Sequence, residues 1–261
     1  MRLAGERPTV TVSALSYNVL YDGLEAVAPP WSERVADVAA LIRFHRPTVV
    51  GLQECWLGQA DDLRMALPSY QWYGEDRDVG EHTPVGVLRE RARIVDGETF
   101  WLAPDPTDRH RAWDANIPRL ATHATIELQE SGRRIEHYNV HLDVDGPRAR
   151  RESARILRDR AEGHDAPVIL TGDCNSRPDS RSYEILTEAV DDARRVVESP
   201  HGPFETYHGY DRAASKRIDY VFGGEGLTPT AHGVLTDMGP DWLAPSDHWP
   251  VMARFAVADR E

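Results

Sequence analysis

Short β-rich apolar runs recur along almost the whole chain, and six polar clusters sit at their ends. Residues 9–19 (TVTVSALSYNV) alternate apolar and polar side chains, the pattern of a half-buried strand. TVVGLQ (48–53), PVGVLR (84–89), about 94–102, ATHATIEL (121–128), RRIEHYNVHL (133–142), PVILTGD (167–173), RIDYVF (217–222), about 230–236 and WPVMARFAV (249–257) read as further strands. SGR at 131–133 reads as a hairpin turn. Helical periodicity is scarcer. Pro30 and Ser32 open a helix through about Phe44, with Val35, Val38, Ala39 and Ile42 on one face, and Pro47 ends it. A weaker helix is expected over 58–66, a strong one over 147–162 with Ala149, Ala154, Ile156, Leu157 and Ala161, and another over 179–189. So many strands with so few helices predict two packed sheets with helices outside them.

A chain of 261 residues buries a full core, and the absence of repeats, low-complexity tracts and linkers favours one domain over 1–261 with its core at about 10–257. A 41% hydrophobic share excludes a disordered chain. No run approaches the roughly 18 apolar residues of a membrane span. The first residues carry no apolar stretch of the kind that directs secretion, so a cytoplasmic location is expected, with no membrane association and no obligate protein partner. Cys55 and Cys174 are too few for a cystine framework and read as reduced, buried thiols. The formal net charge of −13 argues against nonspecific coating of nucleic acid, which needs a basic footprint, but not against binding phosphate through a metal ion. Lys216 is the only lysine beside many arginines, a compositional bias with no functional meaning of its own.

The strand-end residues carry the chemistry. Asn18 follows VTVSALSY, Glu54 follows VVGLQ, and His141 and Asp143 follow IEHYNV. Asp173 and Asn175 close PVILTG, Asp219 lies inside RIDYVF, and Asp247 and His248 precede WPVMARF. One such Asp or Asn is ordinarily a turn or cap residue; six clusters together are not. Positions i and i+2 of an extended segment share a side, so Asp173 pairs with Asn175, and His141 with Asp143. Glu54, Asp173, Asp219 and Asp247 supply anionic oxygens, Asn18 and Asn175 neutral amides, and His141 and His248 proton exchange near neutral pH. Hard oxygen donors without a cysteine cluster select Mg²⁺ or Mn²⁺ over structural zinc. That combination suits phosphoryl chemistry.

The ordered segments SYNVLYDG, LQE, NVHLD, TGDCNS, KRIDYVF and PSDHWPV resemble the motifs of the endonuclease/exonuclease/phosphatase superfamily of DNase I-like phosphoesterases. The resemblance runs from about residue 10 to 257. It implies an α/β fold, a four-layer α/β/β/α sandwich of two packed mixed β-sheets with helices outside. It also implies roles. Glu54, with Asn18 and Asp247, corresponds to the Mg²⁺ site. Asp219 corresponds to the carboxylate that orients His248, the pair that generates or positions attacking water. Asp173 and Asn175 correspond to the pair that contacts nucleophile and phosphate. His141 corresponds to a donor to a phosphate oxygen, supported by Glu81. Cys174 stands where the family has an aromatic residue.

Four loops are expected to border the cleft: about 21–31, 74–84, 103–119 and 199–216. The third offers Arg111, Trp113 and Arg119 to hold a phosphate and stack a ring. The fourth offers Tyr207 and His208. The expectation is a Mg²⁺-dependent phosphoesterase acting on a small phosphorylated compound or nucleotide, with Mn²⁺ as a substitute ion. The alternatives are a DNA or RNA nuclease and a non-hydrolytic or binding role on the same fold.

Overall fold

The computed structural model describes residues 10–24, 28–74, 81–211 and 215–258; the side chains of Leu57 and Glu81 also lie outside the description. Two six-stranded mixed sheets pack face to face. The first comprises β1 (Thr11–Asn18), β2 (Val49–Gln53), β4 (Tyr70–Tyr73), β6 (Val85–Leu88), β13 (Leu227–Val234) and β14 (Val251–Val257), in the order β13-β14-β1-β2-β6-β4. The second comprises β7 (Ala92–Trp101), β8 (Leu120–Leu128), β9 (Arg134–His141), β10 (Val168–Asp173), β11 (Asp191–Asp192) and β12 (Asp219–Gly223), in the order β11-β12-β10-β9-β8-β7. A two-residue pair, β3 (Cys55–Trp56) with β5 (Glu81–His82), stands beside them. The helices are α1 (Trp31–His45), α2 (Leu57–Ala66), α3 (Pro147–Glu162), α4 (Arg181–Leu186) and the short α5 (Ala193–Val196).

Three apolar seams divide these layers. Val12, Val49, Ile135, Ile169, Val221 and Phe255 meet between the sheets. Leu15, Tyr17, Val38, Ile42, Leu52 and Leu63 join the first sheet to α1 and α2. Tyr138, Val140, Ala154, Leu157, Leu170 and Tyr183 join the second sheet to α3 and α4. The order of layers is therefore α/β/β/α. Val12 and Leu15, three positions apart, and the adjacent Ile169 and Leu170 fall in different seams because side chains alternate across a strand. Cys55 belongs to the α1–α2 seam and Cys174 to the α3–α4 seam, so the two free thiols are separated by the sheets.

Each sheet contains one parallel pair joined through a helix: β1 and β2 through α1, and β9 and β10 through α3. Pro sits at the first turn of α3, where its missing N–H costs nothing. Asp114, from a distant loop, caps the same turn through Arg148 N (3.1 Å) and Ala149 N (2.6 Å). Helix α1 starts one residue before Ser32, and its first N–H donates to Asp22 Oδ1 at 2.9 Å rather than to a local cap. It stops at Arg46, in the left-handed region at φ 46°, just before Pro47. Strands β4, β5 and β11 and helix α5 have no clear counterpart in the periodicity. They span only four, two, two and four residues, too short to show a period. The helix expected over 179–189 shortens to Arg181–Leu186.

The inner faces change character along the strands. In β9 the inward series is Ile135, His137, Asn139, His141; in β10 it is Ile169, Thr171, Asp173; in β1 it is Val12, Ala14, Ser16, Asn18. Apolar packing thus gives way to neutral polar groups and then to charged ones at the carboxyl ends of both parallel pairs. The polar zone spans the seam: Gln53 Nε2 donates to Asn139 Oδ1 (2.6 Å), Asn139 Nδ2 to Leu52 O (2.7 Å), and Thr171 Oγ1 to Asn139 Oδ1 (3.0 Å). Gly51 makes this approach feasible. A Cβ there would lie 2.1 Å from Thr171 Oγ1 and 2.3 Å from Asn139 Oδ1.

Candidate active site

Backbone register alone brings most of the strand-end residues together. Asp173 lies opposite His141 on one side and Asp219 on the other, and Asn18 lies opposite Gln53, next to Glu54. Asp247 and His248 enter just before β14, which runs antiparallel to β1 and so begins at the same edge. In open α/β sheets this edge, outside the carboxyl ends of parallel strands, is where ligands bind.

His248 and Asp219 form a buried pair, with Nδ1 2.9 Å from Asp219 Oδ2. Nε2 of the same ring lies 3.8 Å from Asp173 Oδ2. Burial disfavours the imidazolium, but Asp219, Asp173 and Asp247 outweigh it and raise His248 to about 10. Thr206 holds the start of β12 in place by accepting from Ile218 N (3.1 Å) and Asp219 N (3.0 Å). Ser246 accepts from His248 N at 3.2 Å and donates to Asn18 O at 2.7 Å, tying the His248 segment to the end of β1. Tyr207 packs edge-on against the His248 ring at 4.9 Å.

Asp173 is the hub. Its Oδ2 accepts from Asn18 Nδ2 at 3.1 Å and lies 3.5 Å from His141 Nε2. Its Oδ1 accepts from Asn175 N at 2.9 Å. Asn175 adopts φ 44°, a left-handed conformation that Asn tolerates better than most residues, and this turns its amide back over β9. There Nδ2 lies 3.0 Å from both His141 Nε2 and Leu142 O. Burial lifts the Asp173 carboxyl above the usual range; Asp219 adds to the lift and the two histidines oppose it.

Glu54 also sits at a positive φ, 53°. Its carboxylate accepts from Asn18 Nδ2 (3.0 Å) and Tyr21 N (3.2 Å). Burial raises the Asp247 carboxyl, Glu54 raises it further, and His248 opposes. Negative charge therefore accumulates beyond what two histidines offset, and the donors are hard oxygens. A divalent cation fits such a cluster. Glu54 and Asp247 would hold it. Asn18 turns its Nδ2 toward the carboxylates and spends its Oδ1 on Leu20 N (3.0 Å), so it would ligate only after its amide turned over.

Asp173, Asp219 and His248 also present ligand-capable atoms within 4.8 Å of one another. A second such group, His123, Glu136 and His164, lies five residues back along β9, roughly 16 Å from His141 at the usual strand rise. Its atoms are engaged in a packed network: His123 Nε2 with Glu136 Oε2 (2.7 Å), Thr125 Oγ1 with the same oxygen (2.7 Å), and Tyr138 OH with His164 Nε2 (2.7 Å).

The expected substrate contacts divide. The Glu81 side chain lies outside the described residues; its backbone pairs with Trp56, two residues after Glu54. Arg111 is exposed, and Trp113 packs against the small cluster of Trp101, Ala103, Ala112 and Leu120. Arg119 is 8% exposed, and its Nε lies 3.3 Å from Asp143 Oδ2. Asp143 does not join His141 at the site. Its oxygens take the Gly146 (2.8 Å), Asp145 (3.2 Å) and Asn116 (3.0 Å) N–H groups, forming a structural knot. Burial pushes that carboxyl up, but the Gly146 N–H and Arg119 prevail and hold it below the usual range. His208 reaches the site through its backbone, which donates to Asp247 O at 2.9 Å, while its ring packs on Trp249 at 4.3 Å. Burial lowers that imidazole to about 4. Thr206 carries no signal in the sequence, and Ser246 is visible only as a member of PSDHWPV.

The profile of the Endonuclease/Exonuclease/phosphatase family matches residues 15–248. An endonuclease/exonuclease/phosphatase family protein of Bacteroides thetaiotaomicron is 28% identical with a TM-score of 0.90, covering 97% of this chain and 100% of its own. A mannosyl-6-phosphatase of the same organism is 28% identical with a TM-score of 0.86, covering 94% and 99%. D. rerio TDP2, complexed with a single-strand DNA product, is 20% identical with a TM-score of 0.76, covering 94% and 98%, and shares the fold. No curated protein matches by sequence.

Proposed function

The chain belongs to the endonuclease/exonuclease/phosphatase family, a superfamily of metal-dependent phosphoesterases, and on that premise we propose that it is a Mg²⁺-dependent hydrolase of small phosphorylated metabolites or nucleotides. It would act as one domain in the cytoplasm, by in-line attack of an activated water. The observation that carries the reading is the Asp219–His248 pair (2.9 Å), whose free nitrogen points toward Asp173 while His141 and Asn175 flank the same carboxylate.

The geometry supports the following roles. Asp219 accepts at Nδ1 and fixes the His248 ring, so proton exchange with water occurs at Nε2. Asp173 stands beside that nitrogen to orient the water. Asn175 Nδ2 and His141 Nε2, which meet each other in the unliganded site, would exchange that contact for the phosphate oxygens, where charge grows in the transition state. A divalent ion held by Glu54 and Asp247 would screen the phosphate and offset the carboxylate charge that keeps His248 protonated. The formal charge of −13 disfavours an extended nucleic-acid substrate, though not a single nucleotide.

The test is hydrolysis of an aryl phosphomonoester, an aryl phosphodiester, nucleotides, sugar phosphates and single-stranded DNA, with Mg²⁺, Mn²⁺ or EDTA. Turnover of the small substrates, lost in EDTA and reduced about 10²–10⁴-fold in His248→Ala, is expected of a lost general acid–base group. Undiminished turnover in His248→Ala would remove His248 from the mechanism. Turnover of DNA alone would make the protein a nuclease.

A further inference from the structure

Beside the site lies a cavity of about 360 Å³ between the first turn of α3, the turn at 176–182 and Lys216. Its wall includes Asn175, whose amide meets His141, and Lys216, whose Nζ lies 4.7 Å above the ring of Tyr207, which packs against His248. The cavity therefore adjoins the groups proposed to handle the scissile phosphate.

Its charge is opposite to that of the protein. In a chain of net charge −13, the charged residues of this wall are Arg150, Arg151, Arg177, Arg181 and Lys216 against Asp179. Two of the cations are committed elsewhere. Arg150 donates to Asp143 O (2.8 Å) and Val144 O (2.6 Å), and Arg181 pairs with Glu184 (2.9 Å) and Glu188 (3.6 Å). Among the described residues, Arg151, Arg177 and Lys216 have no ion pair. Asp114, near Arg151, spends both oxygens capping α3. The chain's only lysine is held in register here, paired with Tyr207 through Tyr207 N to Lys216 O (2.9 Å) and Lys216 N to Tyr207 O (3.1 Å). Unpaired cations gathered in a concave wall bind an anion more strongly than single surface charges do.

We propose that this cavity takes a second phosphate of the substrate, so that the preferred substrates are small molecules bearing one phosphate at the Asp173–His248 centre and another between Arg151, Arg177 and Lys216. The inference rests on the hydrolase reading above and narrows its substrate class.

The experiment has two readouts. Calorimetric binding compares adenosine 3′,5′-bisphosphate with adenosine 5′-monophosphate, and a sugar 1,6-bisphosphate with the 6-phosphate, in the wild type and in Arg151→Ala/Arg177→Ala. Turnover of the same compounds is measured in parallel. At least one bisphosphate is expected to bind about tenfold or more tighter than its monophosphate, the gain from one charge-assisted contact. In the double variant that ratio should fall toward one. Equal binding of both members of each pair, or a ratio unaltered in the variant, overturns the inference whatever turnover shows. A ratio that behaves as expected with no turnover of any compound overturns the hydrolase reading and leaves the anion site standing. Arg177→Ala alone, at an exposed position, serves if the double variant does not fold.

Discussion

Gly51→Ala places a single methyl group at the narrowest point between the sheets. The added carbon would lie 2.1 Å from Thr171 Oγ1 and 2.3 Å from Asn139 Oδ1, and both of those residues are fully buried. It cannot rotate away, because a Cβ has no torsion of its own. Either the sheets separate or Thr171 and Asn139 leave their places. Overpacking a core costs about 1–3 kcal/mol. Displacing Asn139 also breaks its contact with Gln53, and each buried group left unpaired costs about 1–3 kcal/mol more. A total of about 4 kcal/mol follows, and at about 2–4 °C per kcal/mol for a domain near this size Tm falls by about 8–16 °C. Activity should fall as well, since Gly51 stands three residues before Glu54 and Asn139 two before His141. Differential scanning calorimetry and a urea titration read the first effect, and initial rates on the best substrate read the second. Thr171→Ala in the Gly51→Ala background should cost less than in the wild type, because it removes one of the clashing atoms. A Tm within about 2 °C of wild type, with additive double-variant behaviour, would refute the claim that this residue's bareness sets the sheet spacing.

Arg119→Ala separates structure from recognition. Breaking its buried pair with Asp143 should cost about 3–5 kcal/mol and lower Tm while leaving relative substrate preference unchanged; a shifted preference at unchanged Tm would return Arg119 to the substrate. Part of the pH dependence of stability follows from two buried imidazoles, beside His208, which burial lowers in the same direction. Burial lowers His137 to about 3 and His232 to about 4, each below its ordinary value of about 6.5. A depressed histidine folds neutral, so its contribution is complete above about pH 6.5. It is lost as pH falls toward the folded value, at up to about 1.4 kcal/mol per pH unit for each group. Urea midpoints at pH 7, 5.5 and 4.5 should therefore decline, and less steeply in His232→Gln; an unchanged slope in that variant would mean His232 is not buried neutral.

The element types were legible because their causes are local. Alternation in 9–19 and 133–142 is the period of a strand, and Pro30, Pro47 and Gly146–Pro147 punctuate the helices. The position of the candidate site was legible too, because a period of two places Asp173 and His141 on the same face as the apolar residues that precede them. The motif resemblance supplied the pairing of Asp219 with His248. Short edge elements such as Tyr70–Tyr73 left no period to read, and their strand state comes from pairing with β6.

By itself, then, the sequence determined which residues are inward, which are helical and which end of each strand is polar, since these depend on neighbours a few positions away. Only the tertiary structure decided which charges are spent. Arg119 and Asp143 satisfy each other, and Arg150 turns to the carbonyls of 143 and 144, while Arg151, Arg177 and Lys216 keep their charge for a cavity that no one segment contains. A side chain's chemistry is written in its own residue, but its availability depends on partners that chain folding brings from far away in sequence.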